Sequence, residues 1–243
     1  MYEIALVDVP EFTNRPRKYA PAIITIHATR GHTSMELQDE SVINWFSNTP
    51  DRGGWGATAD FLVSSDGVIT QFRDINAHYG AFAAGYGQYG SSREYAVDEH
   101  AISIEIAQPA YNRGEQPPMF TSASLEAAAW LTRRLSDIHD IPLLKIPFWH
   151  QLRNRPVPHG LLGHEDTANG KRLGKHDPGP AFDWDSFLQM CRNAYVEPLT
   201  KADMAKAFTA LYFGHYPGVH VKWGDARVRD DGWTERLLLT KGL

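Results

Sequence analysis

Apolar residues fall into short runs broken by polar, Gly- and Pro-containing stretches. Ala22-Ile23-Ile24-Thr25-Ile26 is such a run and closes on His27; its length and β-branched content predict a short buried strand. Glu36 to Ser47 carries Val42, Trp45 and Phe46 at helical spacing, and Pro50 marks the end of that helix. Phe61-Leu62-Val63 and Val68-Ile69-Thr70-Gln71-Phe72 flank Ser64-Ser65-Asp66-Gly67. Asp-Gly between two β-rich runs predicts a hairpin, because such a turn needs positive φ. Ala101 to Ala107 alternates strictly: Ile102, Ile104 and Ile106 face one side, and Ala101, Ser103, Glu105 and Ala107 the other. Leu125, Ala128, Leu131, Leu135 and Ile138 form one face of a helix starting near Ser122. Trp184, Phe187, Leu188, Cys191 and Tyr195 form the face of another, with Asp183 as its N-cap.

Between these elements the pattern fades. Residues 1–20 are polar and Pro-containing and read as a surface lead-in. Residues 76–98 are rich in Gly, Ala and Tyr without periodicity, which predicts a long surface loop of a length that is often functional. Pro142 to Pro158 is an irregular stretch with four prolines. Pro198 marks a boundary, dividing a main domain, 1–197, from a short C-terminal appendage, 198–243. In the appendage Thr200 can cap a helix carrying Met204, Phe208 and Leu211, and a polar tail with Trp223 and Trp233 follows. The order strand, helix, hairpin, strand, helix, loop, helix predicts an α/β fold, with a mixed central sheet flanked by helices.

Composition narrows the function classes. A chain of 243 residues with 42% hydrophobic content suits one substantial domain with an appendage. The net charge is −5 and no Lys/Arg run stands out, which argues against nucleic acid as a main partner. The single cysteine, Cys191, excludes an internal disulfide framework and a Cys-rich zinc module, and reads as a small buried apolar residue. No apolar stretch is long enough to span a membrane, so no membrane insertion is expected. Met1-Tyr2-Glu3-Ile4 lacks a charged n-region and an h-region, so the expectation is a protein made in the cytoplasm without a signal peptide.

Three residues then stand out. His27 ends the first apolar run, His164 follows Leu161-Leu162-Gly163, and Asp177 precedes Pro178-Gly179-Pro180. Two imidazoles and a carboxylate from distant segments can hold one Zn²⁺ and leave a fourth position open for water, the arrangement of a hydrolase rather than of a structural zinc site. Read alone, each has an ordinary alternative: a core histidine satisfied by backbone, or a turn aspartate. His159 and His176 are rival ligands. Glu165 and Asp166 read as loop-fixing groups beside His164 rather than as ligands. Glu105 is a carboxylate on an otherwise apolar strand, which costs free energy unless it is paired or functional; the plain alternative is a surface glutamate on a half-exposed sheet. Lys175 could stabilise an oxyanion, or be a solvated loop lysine. His78 could line a substrate groove, or be a hydrogen-bonded surface histidine. Trp149, Tyr86 and Tyr89 could stack on sugar or peptide, or simply pack.

The ordered set of motifs resembles the zinc-dependent N-acetylmuramoyl-L-alanine amidases, which include phage lysozyme-type amidases and peptidoglycan recognition proteins. The matching stretches are Ile23-Ile24-Thr25-Ile26-His27-Ala28-Thr29, the hairpin with Ser65-Asp66-Gly67, Ala77-His78, Ser103-Ile104-Glu105-Ile106, Gly163-His164-Glu165-Asp166, and Lys175-His176-Asp177-Pro178-Gly179-Pro180 followed by Phe182-Asp183-Trp184. They run in family order over roughly residues 20–195. The resemblance implies Zn²⁺ on His27, His164 and Asp177, Glu105 as base and acid, Lys175 as oxyanion partner, and His78 in the substrate groove. It implies hydrolysis of the amide between N-acetylmuramic acid and L-alanine of bacterial peptidoglycan by a monomer. It further suggests a phage endolysin that reaches the cell wall after holin-mediated release. The alternative is a weak or inactive peptidoglycan-binding recognition module. Ala59-Asp60 stands where many relatives carry a Tyr-His pair, so a catalytic Tyr is absent at that point. The segment between His164 and Asp177 is about three residues longer than the usual pattern, and that after His78 is richer in Gly and Tyr.

Overall fold

Burial on both faces organises this sheet. The computed structural model describes residues 2, 4–6, 19–30, 32, 34–47, 59–72, 75, 97–112, 115–147 and 157–194. Its elements are β1 (Ile4–Leu6), β2 (Ile23–Ala28), α1 (Met35–Ser47), β3 (Phe61–Val63), β4 (Ile69–Gln71), α2 (Val97–His100), β5 (Ala101–Ile106), α3 (Ser122–His139), β6 (Gly160–Gly163), α4 (Ala168–Leu173) and α5 (Trp184–Asn193). The six strands form one sheet in the order β1-β4-β3-β5-β2-β6. Among the described residues only β3 and β4, the predicted hairpin, pair antiparallel; the other neighbours are parallel. The expected α/β class with a mixed central sheet is the observed one.

One face of the sheet packs Ile24, Ile26, Phe61, Val63, Ile102, Ile104 and Ile106 with the apolar faces of α3 and α5, from which Ala127, Ala128, Leu131, Leu135, Phe187, Leu188 and Cys191 are buried. Cys191 is thus the buried apolar residue its pattern predicts. On another part of the sheet, Leu62 and Phe72 pack with Val42 of α1. The alternation of β5 does not mark one wet face, as a half-exposed sheet would require: Ala101, Ser103 and Ala107 are as buried as the isoleucines. A parallel strand with neighbours on both sides is covered from both faces.

Local signals set the element ends. Thr121 caps α3 by accepting from the Ser124 N–H, and its hydroxyl also donates to the Ser65 carbonyl in the hairpin turn. Gly67 in that turn has φ +87, as the Asp-Gly signal requires, and a Cβ there would lie 2.9 Å from the Ala123 carbonyl oxygen. Asp183 caps α5 by accepting from the Asp185 and Ser186 N–H groups.

Four elements depart from the expected order. Ile4–Leu6, read as surface lead-in, is an edge strand paired with β4. Gly160–Gly163, an apolar stretch with no period of its own, is a strand beside β2. α2 falls at the end of the expected 76–98 loop, whose residues 76–96 lie outside the described ones. α4 fills part of the loop between His164 and Asp177. The chain divides after Val196, and every described residue belongs to the first unit; the expected appendage, 198–243, lies outside the described residues.

Candidate metal centre

The site is built at the C-terminal ends of three adjacent parallel strands, where open α/β sheets offer a crevice. His27 is the fifth residue of β2 and Glu105 is its register partner on β5, so both side chains leave the sheet on the same face. Ile26 pairs with Gly163, the last residue of β6, which puts His164 beside His27. The two imidazoles meet edge to face, 4.9 Å between centroids. His164 opens a short 3-10 turn ending at Asp166, and its carbonyl accepts from both the N–H and the hydroxyl of Thr167.

Asp177 arrives from the segment after α4. Its Oδ2 lies 3.0 Å from His27 Nδ1 and 3.3 Å from His164 Nδ1. One ligand atom from each of the three residues fits within 4.8 Å of the others. A tetrahedral zinc with bonds of about 2.0–2.2 Å needs ligand atoms roughly 3.3–3.6 Å apart, and the two N···O separations fall close to that edge length. All three residues are buried, at 1%, 6% and 8% exposure for His27, His164 and Asp177. His27 Nε2 and His164 Nε2 are buried with no hydrogen-bond partner among the described residues.

The electrostatics suit a cation. Burial, with the charges of His164 and Lys175, pushes the His27 pKa down against the pull of Asp177, so its ring is held neutral. Burial alone would raise Asp177, but its hydrogen bonds with His164 and His27 hold its carboxyl far below the usual range. A neutral imidazole and an ionised carboxylate are the forms a divalent metal takes. The residues present therefore fit zinc by donor type, spacing and protonation.

Glu105 stands beside this cluster, with Oε1 4.0 Å from His27 Nδ1. Burial, reinforced by the negative charge of Asp177, raises its pKa to about 8, while Lys175 and Arg30 pull the other way. Its Oε2 is buried with no hydrogen-bond partner among the described residues. It is no surface glutamate. Lys175 is exposed, yet its charge is felt at both His27 and Glu105. His159 and His176 are exposed and lie outside the three-residue group. His78, Tyr86, Tyr89 and Trp149 lie outside the described residues.

Several supporting residues escaped the sequence reading. Gly163 lets the Asp177 segment close in, for a Cβ there would lie 2.6 Å from Pro178 Cδ and 3.2 Å from the Asp177 carbonyl oxygen. At Gly170 a Cβ would lie 1.9 Å from the His164 carbonyl oxygen. Arg30 reaches the same segment. A signal for the glycines was available in their closeness to His164 and Asp177; none pointed to Arg30. Asp166 behaves as the loop-fixing group expected of it: its Oδ2 accepts from the Gly163 N–H at 2.8 Å and pairs with Lys145. Glu165 contributes through its backbone, donating its N–H to the Asp177 carbonyl at 3.1 Å.

Comparisons with known proteins bear on the family and the fold. A family model described as N-acetylmuramoyl-L-alanine amidase matches residues 17–180, more than half of the chain. The 1,6-anhydro-N-acetylmuramyl-L-alanine amidase AmpD of Escherichia coli is 30% identical over 130 residues, 54% of this chain and 56% of the relative. The chain thus spans a little over half the length of the curated relatives it matches. Among solved structures, a selenomethionine derivative of AmpD superposes with TM-score 0.51 at 21% identity, covering 78% of this chain and 95% of that one. The Staphylococcus aureus hydrolase AmiA, solved with its ligand, gives TM-score 0.53 at 14% identity, covering 79% and 83%. At such identities these two likenesses concern the fold alone.

Proposed function

The chain belongs to the N-acetylmuramoyl-L-alanine amidase family, and from that premise we propose that it is a zinc-dependent hydrolase of the amide joining N-acetylmuramic acid to L-alanine in bacterial peptidoglycan. The observation that carries this reading is the convergence of His27, His164 and Asp177 on one point with Glu105 alongside. His27, His164 and Asp177 would hold the metal. Zinc held there supplies Lewis acidity and a positive charge that favours ionised Glu105.

The remaining chemistry falls to the chain's own side chains. Glu105 takes a proton from the attacking water and returns it to the leaving nitrogen of L-alanine. Its side chain keeps 15% exposure beside His27, which leaves the carboxyl within reach of a water at the site. Lys175 offers an ammonium to the negative charge that develops on the lactyl carbonyl oxygen. An uncharged, resistant amide needs all three contributions together: activated water, a proton for the leaving group, and a counter-charge for the oxyanion.

The biological role that goes with this chemistry is wall lysis by a phage endolysin, acting as a monomer on peptidoglycan after holin-mediated release. Hydrolysis of purified sacculi, with and without chelator, tests the proposal when new amino termini and new reducing sugars are both followed. Chelator-sensitive release of N-terminal L-alanine without reducing ends is the expected result. Cleavage within the stem peptide would overturn the assigned bond, and binding without cleavage would leave only a recognition module. Turnover of a soluble 1,6-anhydro-muropeptide in preference to sacculi would point to recycling rather than lysis.

A further inference from the structure

Arg30 lies three residues beyond His27, just past β2, with φ +48. Its Nη2 donates to the carbonyl of His176 at 3.3 Å and to that of Pro178 at 3.2 Å. These are the two residues on either side of Asp177. The guanidinium is itself held on its other edges. Nε donates to Gln108 Oε1 at 3.2 Å, and the plane lies over the Tyr111 ring, 4.7 Å from Cζ to centroid. Gln108 is fully buried and anchored in turn, donating from Nε2 to the Pro118 carbonyl at 2.8 Å. Space for the guanidinium comes from Gly179, which has φ +85 and where a Cβ would lie 2.4 Å from Arg30 Nη2.

We propose that Arg30 is a positioning residue that clamps the Asp177 segment from both sides so that the carboxylate is preset for the metal. The proposal rests on the zinc reading above. The clamp complements the contact that Glu165 makes to the Asp177 carbonyl. Together they fix the backbone before, at and after Asp177, so the carboxylate need not be ordered when the metal arrives. A planar fork that bridges two carbonyls, binds an amide oxygen and stacks on a ring is a role that lysine cannot fill. The glycine between Pro178 and Pro180 is required by its φ of +85 and by the His176 carbonyl oxygen, 2.8 Å from the Cβ position, and its missing side chain also leaves the guanidinium its place.

The test uses Arg30→Gln, Arg30→Lys and Gly179→Ala in the full chain. Zinc affinity is read by competition with a chromophoric chelator. Amide hydrogen exchange over 175–179 is read in the chelated protein. Arg30→Gln is expected to weaken zinc about 10- to 100-fold, the usual effect of removing an outer-shell partner. Arg30→Lys is expected to fall between it and the parent, and amide exchange is expected to speed up in the absence of metal. Gly179→Ala displaces the guanidinium while keeping the arginine; φ +85 and the His176 carbonyl oxygen, 2.8 Å from the Cβ position, strain it in either background, so it should weaken zinc less when added to Arg30→Gln than when added to the parent. A folded Arg30→Gln protein with parental zinc affinity and parental exchange overturns the proposal. If Arg30→Gln does not fold, parental zinc affinity in Gly179→Ala overturns it. A parent chain that binds no zinc overturns the metal reading itself, and with it this role of Arg30.

Discussion

Glu105 and Asp177 are two carboxyl groups that the same site drives apart. Asp177, bonded to two imidazoles, stays ionised well below the usual range, whereas burial carries Glu105 up to about 8 from an ordinary 4.5. Such a split separates a permanent anion from a proton carrier. It also has a thermodynamic signature. In the chelated protein Glu105 is protonated when folded but ionised when unfolded between about pH 5 and 8, so folding takes up a proton. The penalty is absent at low pH, grows as pH rises, and is complete above the folded pKa. Glu105→Gln removes it. Melting of chelated protein should show the variant more stable than the parent at pH 8, by at least about 1 kcal/mol, with the gap closing towards pH 5. A gap that does not change with pH would show that burial of this carboxyl is not the cause. With zinc restored, the same variant should keep the metal yet lose roughly 10²- to 10⁴-fold in L-alanine release, the usual contribution of general acid–base groups. Turnover near the parental rate would remove Glu105 from the role of base.

At the scale of elements, the site depends on how closely β6 and the Asp177 segment approach. Gly163 and Gly174 make a paired test. Gly163→Ala would drive a Cβ to 2.6 Å from Pro178 Cδ, whereas Gly174, with φ +64, has nothing within 4 Å of its Cβ position. Gly174→Ala therefore meets only the backbone penalty of a left-handed conformation, on the order of 1 kcal/mol. Gly163→Ala must move the strand or the segment, costing about 1–3 kcal/mol by overpacking, and should weaken zinc at least tenfold because Asp177 moves with Pro178. Thermal melts and chelator competition on the two variants read both effects. Equal zinc affinity in the two would show that the close approach at Gly163 does not govern the metal site. The strand ends thus work as a gauge: His27, Glu105 and His164 are placed by register, and Asp177 by how near its loop can come.

For the whole molecule, a metal that binds only the folded chain adds its binding free energy to stability. Zinc at about a thousand times its dissociation constant contributes roughly 4 kcal/mol. For a chain of this size each kcal/mol shifts melting by about 2–4 °C. Chelation should therefore lower Tm by on the order of 10 °C, and zinc should restore it. A Tm indifferent to chelator would contradict a tightly held metal at His27, His164 and Asp177. The three ligands come from the ends of β2 and β6 and the segment after α4, so the metal would tie together segments 150 residues apart in sequence. No helix among the described residues is long and apolar enough to cross a membrane.

Read without the fold, the chain already carried its local order: the buried strand at Ile23–Ala28, the Asp-Gly hairpin, and the helices capped by Thr121 and Asp183. Each rests on periodicity, turn geometry or capping, which act within a few residues. The candidate ligand residue types and their motif order were equally legible, since side-chain chemistry is written residue by residue. Tertiary structure decided the rest. Ile4–Leu6 and Gly160–Gly163 are too short to show a period and become strands only by pairing with β4 and β2. The second covered face of β5, which leaves the Glu105 side chain only 15% exposed, comes from neighbours distant in sequence. Arg30 meets its carbonyls across 146 and 148 residues of chain. Local sequence encodes propensity and chemistry; which distant segments come within 3 Å is set by the packing of the whole sheet.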